Sequence, residues 1–167
     1  MKIQSRRGLL KNAAVAAVAA TGAGALAPRA EAQTGVVWQK KAIKRAPTGP
    51  AAVPPPVADG KTPLFNGIIS FGNLVFVAGI GAHFKGTIEE HTKHVLDELE
   101  QNLILAGSSM EKVLKVNVYL SDLSNYTRMN SVYNGRWGSV PPVRTTIAAA
   151  GGIPGDSLVE IDCIASI

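Results

Sequence analysis

The sequence predicts an α+β fold, with one mixed β-sheet and two helices packed on one of its faces. Three observations predict it. Two stretches, 87–106 and 125–137, carry apolar residues at helical spacing. Six shorter stretches read as strands. The resulting order is β, ββ, α, β, α, ββ, a mixture without strict βαβ alternation.

Taken in order, Val36, Val37 and Trp38 with Ala42 and Ile43 offer a short first strand. Residues 46–63 hold Pro47, Pro50, Pro54, Pro55, Pro56 and Pro63, and proline removes donors and fixes φ, so this is an extended arm. Residues 67–71, Gly72-Asn73 and residues 74–78 read as a β-hairpin, followed by a glycine-rich stretch from Gly79 to His83. In the first helix Thr87 is the cap, Glu89 and Glu90 suit the positive end of the dipole, and Gly107 ends it. Its apolar stripe is Ile88, Val95, Leu96, Leu99, Leu103 and Ala106. Residues 113–120 alternate, with Leu114, Val116, Val118 and Leu120 on one side and Lys115, Asn117 and Tyr119 on the other, as in a half-buried strand. Asp122 or Ser124 caps the second helix, whose apolar side is Tyr126, Met129, Tyr133 and Trp137 and which Gly138 stops. Residues 144–150 and 158–166 are the last two strands, joined by a glycine-rich loop.

Ahead of all this lies a leader. Ser5-Arg6-Arg7-Gly8-Leu9-Leu10-Lys11 precedes an uncharged, alanine-rich run and the small residues of Ala30-Glu31-Ala32. That is the order of a secretory signal, and the paired arginines mark its twin-arginine version. The expected organisation is a signal peptide over 1–32 cleaved after Ala32, a Pro-rich arm with a first strand over 33–63, and one domain over 64–167. A periplasmic or otherwise exported protein with no stable membrane association follows. An uncleaved anchor is the alternative, but the run is short of the ~20 residues a spanning helix needs.

The leader also changes the charge. It holds Lys2, Arg6, Arg7, Lys11 and Arg29 against Glu31, so of 17 basic and 12 acidic residues the mature part keeps 12 and 11. A nearly neutral domain argues against a nucleic-acid partner. The single cysteine, Cys163, excludes an intrachain disulfide and reads as a small core residue.

The sequence has no P-loop, no dinucleotide fingerprint and no nucleophile elbow. His91 and His94, three apart, read as solvated helix-face histidines rather than a metal site. Two charges stand in apolar strands, Arg144 and Glu160. Such a charge is costly unless paired or used. A guanidinium matches a carboxylate, and a partly buried carboxylate can take a proton from water. From spacing alone the two could equally pair with each other or both face solvent.

Residues 72–79, the helix end at Ala106-Gly107-Ser108-Ser109, Val116–Asp122, Met129–Tyr133, Pro142–Thr146 and Val159–Ala165 together resemble, in order, the RidA (YjgF/YER057c/UK114) family, also labelled endoribonuclease L-PSP. The resemblance implies a chorismate-mutase-like subunit, a homotrimer with clefts between subunits, and an enamine/imine deaminase of the 2-iminobutanoate/2-iminopropanoate type. That enzyme turns a small carboxylate-bearing imine into a keto acid and ammonia with no cofactor and no metal. It further implies that Arg144 grips the substrate carboxylate and Glu160 activates water. Thr146, Phe65, Asn130 and Tyr133 match other positions that bind substrate. The chain departs from the family where Phe65 stands for a tyrosine and Ala78 for a serine. Those departures, with the export signal, support an alternative: a non-catalytic trimer that binds a small carboxylate or a protein partner in the same cleft.

Overall fold

Six strands form one sheet in the order β1-β2-β3-β6-β4-β5 in the computed structural model, which describes residues 36–44 and 62–167. The expected signal over 1–32 and most of the expected Pro-rich arm lie outside the described residues. The strands are β1 (Lys41–Ile43), β2 (Ile68–Phe71), β3 (Leu74–Gly81), β4 (Val113–Leu120), β5 (Val143–Ala148) and β6 (Val159–Ser166). The helices α1 (Ile88–Leu105) and α2 (Tyr126–Tyr133) follow β3 and β4. The expected order is the observed one, and the fold is α+β with a mixed sheet. All neighbours pair antiparallel except β4 and β5, which α2 joins as a crossover and so makes parallel.

The β2–β3 hairpin turns on Gly72-Asn73, with Gly72 at a φ of 61° in the first central position, where a type II′ turn takes glycine. β3 continues through Gly79 and Gly81 instead of opening into a loop, because a register shift between Val77 and Ile80 absorbs the extra residue against β6. β1 begins only at Lys41, so Val36–Trp38 precede it; Trp38 instead lays its ring against Gly72 and meets Phe71 edge-on at 5.6 Å.

α1 starts with a complete capping box: Glu90 N–H donates to Thr87 Oγ1, and Thr87 N–H donates to Glu90 Oε2 at 2.7 Å. Its whole expected stripe is buried between the helix and the sheet, against Val75, Val77, Val116, Val118, Ile161 and Ala165. Leu96, Leu99 and Leu103 are completely covered, each stabilising the fold by about 1.5–3 kcal/mol relative to exposure. Cys163 belongs to the same core.

Two strand-and-helix expectations are corrected. Leu114 is 51% exposed, because a register shift between Val113 and Lys115 turns Val113 into the core in its place. α2 stops at Tyr133, four residues early: Asn134 is extended and Gly135 has a φ of 78°. Trp137 reaches the core from the turn that follows, where it is 2% exposed.

Candidate functional site

Arg144 lies on β5 opposite Val116 of β4, and Val116 lies opposite Cys163 of β6. Val116 and Cys163 face the helices, so Arg144 does too. α2 crosses there and presents Tyr126, Asn130 and Tyr133, spaced four and three apart and hence on one face. Arg144 donates to Asn130 Oδ1 at 2.8 Å and to the Tyr126 hydroxyl at 3.1 Å. Its guanidinium carbon sits 4.6 Å from the Tyr133 ring centroid and 5.6 Å from that of Tyr126. These contacts compensate for the partial burial of the charge. They engage two of its N–H groups and leave the rest of the fork for an anion.

A shallow, open pocket of about 480 Å³ adjoins it, lined by Asn130, Ser131, Tyr133, Asn134 and Arg144. The Tyr133 hydroxyl, the Trp137 indole N–H and the Thr146 hydroxyl are buried without a hydrogen-bond partner among the described residues. Burial pushes the Tyr133 phenol up to about 12, although the Arg144 charge beside it pulls the other way. α2 is itself fixed to α1: Arg128 grips Glu89 with two bonds of 2.6 Å, and Arg136, beyond the helix, reaches Asp97 at 2.9 Å and Glu100 at 3.2 Å.

Glu160 stands elsewhere. It pairs with Tyr119 on β4 and Gly81 on β3, and alternates with the buried Val159 and Ile161. It therefore points to the sheet face opposite the helices. Its carboxylate lies over Gly79, where a Cβ would run into it. Beside it Asp162 accepts from Asn117 Nδ2 at 2.8 Å and from the Tyr119 hydroxyl at 3.0 Å. Burial, then the bond to Asp162, raises the Tyr119 phenol above its ordinary range.

The fold thus brings Arg144, Asn130 and Tyr133 together, with Thr146 two residues along the same strand face. Arg144 and Glu160 form no ion pair among the described residues; β4 separates their strands, and they face opposite sides. Phe65, 68% exposed, precedes β2 toward the far edge of the sheet. The expectation for His91 is overturned: it is 1% exposed, because Phe84 folds over it with ring centroids 4.8 Å apart. His94 does stay on the surface, 3.6 Å from Glu98. Tyr126, Gly79 and His91 are the residues that reading the sequence misses. The first was signalled by its spacing from Asn130 and Tyr133.

Residues 61–167 match the family described as Endoribonuclease L-PSP. The mitochondrial protein mmf2 of Schizosaccharomyces pombe is 39% identical over 61% of this chain and 86% of its own. The chloroplastic Reactive Intermediate Deaminase A of Arabidopsis thaliana is 27% identical over 77% of this chain and 67% of its own. Among solved structures, a YjgF family member from Neisseria meningitidis superposes with a TM-score of 0.58 at 29% identity, over 64% of this chain and 90% of that one. Yeast Mmf1, at 24% identity, gives 0.64 over 77% and 98% and supports the fold. From residue 61 onward the match is continuous to the last strand, and the chain belongs to the RidA/YjgF (endoribonuclease L-PSP) family.

Proposed function

We propose that the protein is an exported enamine/imine deaminase for small carboxylate-bearing imines, and that it works as a homotrimer. The observation that carries this reading is Arg144, braced by Asn130 and Tyr126 at an open pocket with N–H groups to spare. A relative bears the name Reactive Intermediate Deaminase A, which supports the reaction class. In that reaction Arg144 holds the substrate carboxylate. Glu160 takes a proton from a water as its oxygen bonds to the imine carbon. That proton passes to the nitrogen, giving a carbinolamine. Its hydroxyl then gives up its own proton, which Glu160 relays to the amine as the carbon–oxygen double bond forms and the carbon–nitrogen bond breaks, and keto acid and ammonia leave. Thr146, beside Arg144, and Phe65 of a neighbouring copy are the remaining wall residues of this reading.

Arg144 and Glu160 face opposite sides of one sheet, so one copy does not present both to one substrate. The reading therefore joins Arg144 of one copy to Glu160 of another, and this supports clefts between subunits.

Release of keto acid from freshly generated 2-aminoacrylate tests the activity. The expected result is acceleration over buffer that Arg144→Ala cuts by about a hundredfold in kcat/KM, the cost of leaving a bound carboxylate unpaired. No acceleration, or equal acceleration by Arg144→Ala, overturns it. Phe65, which lacks a hydroxyl, favours the second reading of a carboxylate-binding module; calorimetric binding of keto acids without turnover selects it. Export rests on Arg6-Arg7 and Ala30-Glu31-Ala32. Mass spectrometry of the protein from a periplasmic fraction should find a chain starting at Gln33, and a chain retained whole in the cytoplasm excludes it.

A further inference from the structure

His91 is a buried polar group that the proposed chemistry does not use. It sits in the first turns of α1, 1% exposed, and both ring nitrogens are engaged. Nε2 lies 2.8 Å from the Phe84 carbonyl, and Nδ1 lies 3.1 Å from the Leu158 amide. A carbonyl only accepts and an amide N–H only donates, so one ring form satisfies both: neutral, with its proton on Nε2. A second proton would set Nδ1–H against the Leu158 N–H, two donors with no acceptor between them.

Leu158 is two residues before Glu160. The adjoining residues are stitched as well. Ser157 Oγ accepts from the Ala82 amide at 2.8 Å and donates to the Val159 carbonyl at 2.6 Å. Residues 157–159 are thereby tied to the end of β3 and to α1 just where the strand that carries Glu160 begins. Gly79 receives the Glu160 carboxylate from the other side.

We propose that neutral His91 is a positioning residue for Glu160, which it fixes through Leu158. The inference rests on the reading of Glu160 given above. Glu90 and His94 are the ionisable side chains of α1 beside the ring. Glu90 is committed to the capping box, and His94 lies across Phe84 at 5.2 Å between ring centroids.

The test compares kcat and KM of wild type, His91→Gln and His91→Ala at one pH, about 8. Glutamine offers one acceptor and one donor, as the neutral ring does. The kcat of keto-acid release by His91→Gln should stay within about threefold of wild type, while His91→Ala should lose about tenfold in kcat with KM little changed. Full kcat in His91→Ala, or a loss in His91→Gln as large as in His91→Ala, overturns the proposal. Two readouts on wild type need no activity and no folded variant. Nitrogen–proton correlation should show Nδ1 unprotonated, and the Leu158 amide should be protected from exchange. A proton on Nδ1, or an unprotected Leu158 amide, also overturns it. If Glu160→Gln keeps full activity, the deaminase reading fails instead, and the ring form and Leu158 protection still decide the role of His91.

Discussion

The α2–β5 corner holds Arg144 with side chains: an amide, a phenol hydroxyl and two aromatic faces converge on it. The β3–β6 pair holds Glu160 with almost none. There the carboxylate occupies space left by the missing Cβ of Gly79, and the strand that carries it is secured through its backbone by Ser157 and His91. The contrast suits the two chemistries proposed for these residues. A guanidinium that must bind an anion in one orientation gains from rigid partners. A carboxylate that must accept a proton and return it would be poorer at both if donors occupied its oxygens.

The sharpest way to break this contrast is Gly79→Ala. The added methyl displaces a side-chain end rather than backbone. We therefore expect Tm to change little while kcat falls about a hundredfold, the scale of a displacement of about 1 Å in a reacting group. Equal losses of Tm and activity would place the glycine in the scaffold alone. A smaller effect sharpens the other side. Asn130→Ala removes a hydrogen bond to a charged group, worth about 1.5–3 kcal/mol, and should raise KM for the imine or Kd for a keto acid about tenfold or more. Tyr126→Phe removes a longer bond at a residue 41% exposed and should cost about fivefold. The reverse ranking would mean that the hydroxyl, not the amide, orients the guanidinium.

The fold was legible because its local signals agree. The cap at Thr87, the stripe from Ile88 to Ala106 and the strand read over 158–166 each point to one structure, and the core uses all of them. Leu114 misled because a bulge inverts the alternation at one residue, and no composition cue marks a bulge that lacks glycine or proline. Tyr126 read as apolar because helical spacing assigns a face but does not say that a guanidinium waits beyond it. Arg144 and Glu160 were legible as costly charges in apolar strands. Their separation onto opposite sheet faces was not, since it follows from the register of β5 on β4 and of β4 on β6, and register is a property of pairs. His91 read as solvated because its cover, Phe84, comes from a loop that carries no periodicity.

The placement of the two tryptophans equips the protein with its own optical probe. Trp38 is half in water over the hairpin turn, and Trp137 is sealed in the core with its ring centroid 5.0 Å from that of Tyr133. Tyr133 touches Arg144 on one side and this indole on the other. Occupation of the guanidinium is thus one aromatic ring away from a fluorophore. With Trp38→Phe, the remaining emission comes from an indole next to the proposed anion site, and ligand titrations need no label and no turnover.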